Sequence, residues 1–224
     1  MKSLAARLAG ALLLMVTGAA FGQHVDPPPV PGAGISNTRH DARTWLRSDQ
    51  VCNICHVPHH GSTEGPLWSH AITTATFTLY GSATMDATAA QPGMVSKLCL
   101  SCHDGTVAIN DFVGHTGTAT TRIGSGNRAY IGTNLGNDHP VGITYDAALA
   151  ASDTMLANPA AKIVTIGSAK TRTGTIAATM LTGGKVECTS CHDVHNIYTA
   201  GSNGYALVKV DMAGSSLCLQ CHSK

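Results

Sequence analysis

The chain has 224 residues with 24 Gly, 9 Pro, 8 Cys and 12 His but only 3 Phe, 5 Tyr and 2 Trp, a length suited to one domain or two small ones. Charged residues make up 12% and the net charge is +1, with no Lys/Arg block, which excludes nucleic-acid binding through a basic surface and charge-driven disorder. Aromatics at 4% leave little for an all-protein core, so this abundance of Cys and His points to a bound inorganic or metallo-organic group.

Residues 1–22 read as a secretory signal. Lys2 and Arg7 supply the positive start, Leu8 to Val16 the apolar stretch, and Ala20-Phe21-Gly22 a small-x-small cleavage site. The apolar stretch is shorter than the roughly 20 residues that cross a bilayer, so an exported chain starting at Gln23 with no membrane span is expected. Residues 26–31, Asp-Pro-Pro-Pro-Val-Pro, form a stiff extended arm.

All eight cysteines fall in one pattern: Cys52-Asn-Ile-Cys55-His56, Cys99-Leu-Ser-Cys102-His103, Cys188-Thr-Ser-Cys191-His192 and Cys218-Leu-Gln-Cys221-His222. In CxxCH the two thiols add to the vinyl groups of one haem and the adjacent His reaches the iron as an axial ligand. The competing readings fit less well. Disulfide scaffolds are usually under ~80 residues and do not place His after each CxxC. Zinc ribbons set their CxxC pairs closer together, and a thioredoxin-like pair needs a βαβ context that is missing here. Four covalent haems c are therefore expected. The motifs group as an N-terminal haem pair at 52–103 and a C-terminal pair at 188–222, separated by a long insertion at 106–187, all within one tetrahaem domain at 23–224.

Eight histidines remain for the sixth iron positions. His59 and His195 each lie three residues after a proximal His, in Cys-His-Val-Pro-His and Cys-His-Asp-Val-His. Neither can pass round its own porphyrin, so each would ligate the iron of a neighbouring haem. For His40, Asp41 or a carbonyl can take the other ring N–H and fix the tautomer, and His139 is held by the following Pro140; both read as ligands presented from loops. His70 is the reserve, followed by His24 on the N-terminal arm. His60 and His115 read as solvated or facing a propionate. The five methionines beyond the signal, Met85, Met94, Met155, Met180 and Met212, have no recurring context and read as packing residues. With every iron expected to be six-coordinate, no open site is left for substrate, and an electron carrier is expected rather than an enzyme.

Regular structure is expected to be sparse. The stretch 114–137 is rich in Gly, Thr and Asn and reads as irregular, Asp146 to Ala157 as a short helix ended by Asn158-Pro159, and Lys162–Ile166 with Thr175–Thr179 as a small hairpin. Short helical turns are expected at the CxxCH sites. The fold class is thus mostly irregular coil with short helices and a small β-hairpin, wrapped round four covalently bound haems whose apolar faces replace a protein core.

The chain resembles the doubled-CxxCH multihaem cytochromes, and among them the tetrahaem cytochromes that polymerise into extracellular nanowire filaments. The matching text is Asn37-Thr-Arg-His40-Asp41, Cys52-x-x-Cys-His-x-Pro-His59, Pro66-Leu-Trp68, Ser96-Lys-Leu-Cys-Leu-Ser-Cys-His-Asp-Gly105, Asn137-Asp-His-Pro-Val-Gly142 and Cys188-Thr-Ser-Cys-His-Asp-Val-His-Asn196. The insertion at 114–135 departs from it. The resemblance implies bis-His, low-potential haems and electron delivery to extracellular acceptors. It further implies upstream periplasmic or outer-membrane cytochromes as donors, and copies of the chain itself as partners, with one distal His donated between subunits.

Overall fold

The computed structural model describes residues 30–46, 50–114, 120–200 and 206–223. The expected signal at 1–22, His24, His115 and most of the proline arm lie outside the described residues. Among the described residues, no helix is long and apolar enough to cross a membrane.

The chain is mostly coil with a few short helices and one two-stranded antiparallel sheet. Helix α1 (Met94–His103) carries the second CxxCH motif, α2 is Ala147–Ser152, α3 is Ile176–Thr179 and α4 (Cys188–Cys191) spans the third motif's cysteines. The sheet pairs β1 (Ile163–Ile166) with β2 (Arg172–Thr175), Val164 lying opposite Gly174. Single 3-10 turns occur at Ala42–Thr44, Ala213–Ser215 and Cys218–Gln220. Thus the fourth motif starts a 3-10 turn, whereas the first has only a hydrogen-bonded turn, His56 N–H donating to Cys52 O at 2.8 Å.

Two elements differ from the sequence reading. The second strand ends where it was expected to begin, and 175–179 turns into α3, because the Thr175 hydroxyl accepts from Ala178 N–H at 3.2 Å and caps a helical turn. Helix α2 is also shorter than 146–157. Asp146 caps it as expected, accepting from Leu149 N–H at 2.9 Å, but Asp153 takes Met155 N–H at 2.9 Å and draws the backbone out of the helix.

Burial is split among small clusters. The largest joins Tyr145, Val164, Ile166, Ile176 and Met180 to Val208 and Leu217, with Cys191 and Cys221 packed against it. The insertion therefore supplies most of the packing beneath the two C-terminal motifs. A second cluster, Ala42, Ile54 and Phe112, touches Cys55; a third, Phe77, Leu100 and Leu135, lies under α1.

The second and third motifs are joined directly. Buried Ser96 of α1 donates its hydroxyl to Glu187 and accepts Cys188 N–H at 3.0 Å, so one side chain fixes the N-terminus of α4 against the flank of α1. A Cβ on Gly93 would collide with the Glu187 carboxylate, which explains glycine at the entry to α1.

Candidate haem-binding site

None of the eight cysteines is in a disulfide, and their neighbourhoods follow chain order. Cys55 lies close enough to Cys102 to oppose its ionisation, Cys99 and Cys188 lie close enough to shift each other's thiols, and Cys191 has Cys218 and Cys221 beside it. Motif one thus adjoins two, two adjoins three, and three adjoins four. Burial pushes the thiols of Cys55 and Cys221 up to about 11 and Cys102 up to about 12. The neighbouring Cys99 thiol draws Cys188 down to about 7. Thioether formation removes these ionisations altogether.

Three of the four CxxCH histidines are oriented alike. Nδ1 of His56 donates to Pro66 O at 2.7 Å, Nδ1 of His103 to Ala129 O at 2.7 Å, and Nδ1 of His192 to Ala206 O at 2.6 Å. A carbonyl on Nδ1 selects the tautomer whose Nε2 lone pair is free for a metal and makes that nitrogen a better donor. The three carbonyls come from irregular loops; one of them, Ala129, belongs to the insertion, whose next residues bond back to the motif through Ile131 N–H and His103 O at 2.8 Å.

Three of these four histidines face a histidine from elsewhere in the chain. Ring centres lie 6.2 Å apart for His56 and His195, 6.0 Å for His103 and His40, and 6.4 Å for His222 and His139. A metal–imidazole bond of about 2 Å, with the ring centre roughly 1 Å beyond the ligating nitrogen, puts two trans imidazoles about 6 Å apart. The residues present therefore fit an iron held between each pair. The ring planes differ, at 17° for the first pair, 48° for the second and 74° for the third. Among the described residues no three His, Cys, Asp or Glu side chains converge as a bare-ion site requires; the imidazoles meet in twos. At the fourth motif a cavity of about 310 Å³ opens beside Ser215, Cys218, Leu219 and His222.

Each facing histidine is presented by a built loop. Asp193 accepts backbone N–H groups from His195 at 3.1 Å, Ile197 at 2.9 Å and Tyr198 at 2.7 Å, folding Cys-His-Asp-Val-His into a turn. Buried Asn196 then donates to Val30 O and Gly34 O, both at 2.9 Å, tying the start of the described chain to the third motif. His139 donates Nδ1–H to Pro140 O at 3.0 Å. Its loop is closed by Gly142, whose φ of +81° favours glycine and whose N–H reaches Val186 O at 2.7 Å.

His40 sits in a loop organised by Asp41, which accepts Asn37 N–H at 2.9 Å and the Arg43 guanidinium at 2.6 and 2.9 Å. Burial, with His103 and His192 nearby, lowers His40 to about 4, keeping its imidazole neutral as ligation demands. The Arg43 hydrogen bonds hold Asp41 down at about 2. Its ionised form thus contributes stability that is complete above the ordinary value of 3.8 and is lost as pH falls through about 2. Asp41→Asn turns one acceptor into a donor facing donors. We expect it to cost about 1–3 kcal/mol in a thermal melt of the purified protein, and to loosen the loop carrying His40.

Two histidines read as ligand candidates stand apart. His59 is exposed, and among the described residues no imidazole is placed opposite it or opposite His192 in this way. His70, the reserve ligand, has Nδ1 2.6 Å from Ala71 O and Nε2 3.0 Å from Ala108 O, with Cys102 Sγ 3.4 Å from Nε2; a neutral imidazole donates to only one of the two carbonyls. Its backbone bridge to Phe112 ties the segment after the first motif to the segment after the second. The sequence reading did not single out the carbonyl donors, Asn196 or the Ser96–Glu187 link; backbone acceptors carry no residue signature, and the others reveal themselves only through partners far away in the chain.

No curated protein matches the chain. Residues 180–224, which hold the third and fourth motifs, match the doubled CxxCH motif family. With the paired motifs and the opposed imidazoles, this match supports covalent haem c binding and a multihaem c-type cytochrome that works in electron transfer.

Proposed function

We propose that the chain is an exported tetrahaem c-type cytochrome, one haem on each CxxCH motif, that passes electrons along the order of its motifs and polymerises into an extracellular filament. The observation that carries the electron-transfer reading is the set of three imidazole pairs 6.0 to 6.4 Å apart, each joining a CxxCH histidine to one outside that motif. The bound haems supply one-electron chemistry. The chain fixes their spacing through the contacts between successive motifs, and sets ligand basicity through the Nδ1 carbonyls. Sixth positions filled from within the protein favour a carrier over an enzyme.

His40, His139 and His195 are the distal ligands this arrangement favours. For the iron of His192 the candidates are His59, from this or an adjacent copy, and His24. Support for the filament comes from the resemblance noted above, with copies of the chain as partners, cytochromes upstream as donors and extracellular acceptors downstream. Electron microscopy of the sheared extracellular fraction and of the purified protein tests it. Filaments with a continuous haem path are the expected result; discrete particles of about the monomer's mass would replace the filament with a soluble tetrahaem shuttle.

A further inference from the structure

Two buried side-chain nitrogens among the described residues have no hydrogen-bond partner, His40 Nδ1 and Trp68 Nε1. The first belongs to a histidine already placed opposite His103. Trp68 has no such role, and its position is tightly determined: its N–H donates to Gly65 O at 3.3 Å, its carbonyl accepts Ser62 N–H at 2.8 Å, and it pairs as an isolated bridge with His56. The indole stands edge-on to the His56 imidazole, 6.0 Å between centres at 89°. The same turn sends Pro66 O to His56 Nδ1. One short loop thus orients the first motif's histidine and leaves an unpaired N–H at its side.

Buried donors in native proteins are paired, so one left over at a ligand site points to an acceptor that belongs to the ligand. The chain's other tryptophan shows the contrast, since Trp45 Nε1–H donates to Arg39 O at 3.2 Å. A haem brings two carboxylates, and an indole N–H is a donor only, suited to an anionic oxygen. We propose that the Trp68 indole N–H donates to a carboxylate of the haem carried by Cys52, Cys55 and His56, making Trp68 a positioning residue for that haem. The proposal rests on the haem reading of the first motif.

With only two tryptophans, ¹⁵N-indole NMR of the haem-loaded protein isolates the group, and Trp68→Phe assigns it. The Trp68 N–H is expected to exchange about tenfold or more slowly than that of Trp45, and its resonance should move when the iron is reduced. In Trp68→Phe one midpoint potential should fall while the rest stay, because a carboxylate stripped of its donor stabilises ferric iron more. An indole that exchanges as fast as Trp45 and ignores the iron's oxidation state overturns the proposal. The wild-type spectrum decides this even if the variant fails to mature. Pyridine haemochrome counting on the same sample separates the two readings: four haems with a fast-exchanging indole defeats only the carboxylate contact, whereas a first motif without haem defeats both.

Discussion

Replacing His195 by alanine is expected to open one iron in four to carbon monoxide and to convert that haem from low to high spin. His195 is the sole described imidazole opposite His56, and its turn is built by Asp193 from the third motif. The spectroscopic signature is specific. The 17° angle between these planes is near-parallel, while the 74° of His139 and His222 is near-perpendicular, and the mutual tilt of axial imidazoles sets the rhombic splitting of low-spin ferric iron. Electron paramagnetic resonance of His195→Ala should therefore lose the most rhombic low-spin signal and keep the most axial one. His70→Ala is the control: it should leave every low-spin signal in place while costing about 2–4 kcal/mol of stability, because a buried hydrogen bond to a carbonyl and a packed ring are lost. Carbon monoxide binding by His70→Ala but not His195→Ala would reverse the ligand assignment.

Replacing Cys99 and Cys102 together by alanine should have the largest effect on folding. A haem face of roughly 400 Å² buried at about 25 cal/mol per Å² contributes on the order of 10 kcal/mol, comparable with the ~5–15 kcal/mol that a whole domain has in hand. The protein clusters are small, and the second motif is where the first and third both make contact, Cys102 lying near Cys55 and Cys99 touching Cys188. Loss of this haem should abolish recovery of mature protein. The same change at Cys218 and Cys221, which adjoin only the third motif, should leave a recoverable protein with three haems, counted by intact mass and haemochrome absorbance. Equal yields from the two variants would show that the second motif is no keystone.

The candidate haem attachment points were legible in the sequence because thioether chemistry demands two thiols and a histidine at fixed local spacing. Candidate distal histidines were legible singly, not as pairs: His195 and His56 lie far apart in the chain, and only the folded structure brings their rings to 6.2 Å. His70 illustrates the converse. Its nitrogens lie beside the carbonyls of the adjacent Ala71 and the distant Ala108, and nothing local foretold the second. The misplaced second strand has a similar origin, since Thr175–Thr179 has β-branched residues suited to a strand, while a single hydroxyl cap made it helical. The coil-rich architecture itself followed from composition, few aromatics and many Gly residues leaving little for layered packing.

The pairing of His56 with His195 spans more than half the chain. A polypeptide is made from its N-terminus, so the first motif emerges long before the segment that completes its coordination. Loop-closure entropy at this separation is the largest of the three pairings, which makes this the slowest joint to form and the one that rewards a finished chain. Products truncated before residue 195 would keep a first site without its facing imidazole, and under the proposed ligation the redox behaviour of that site would report whether the downstream segment had folded back onto it.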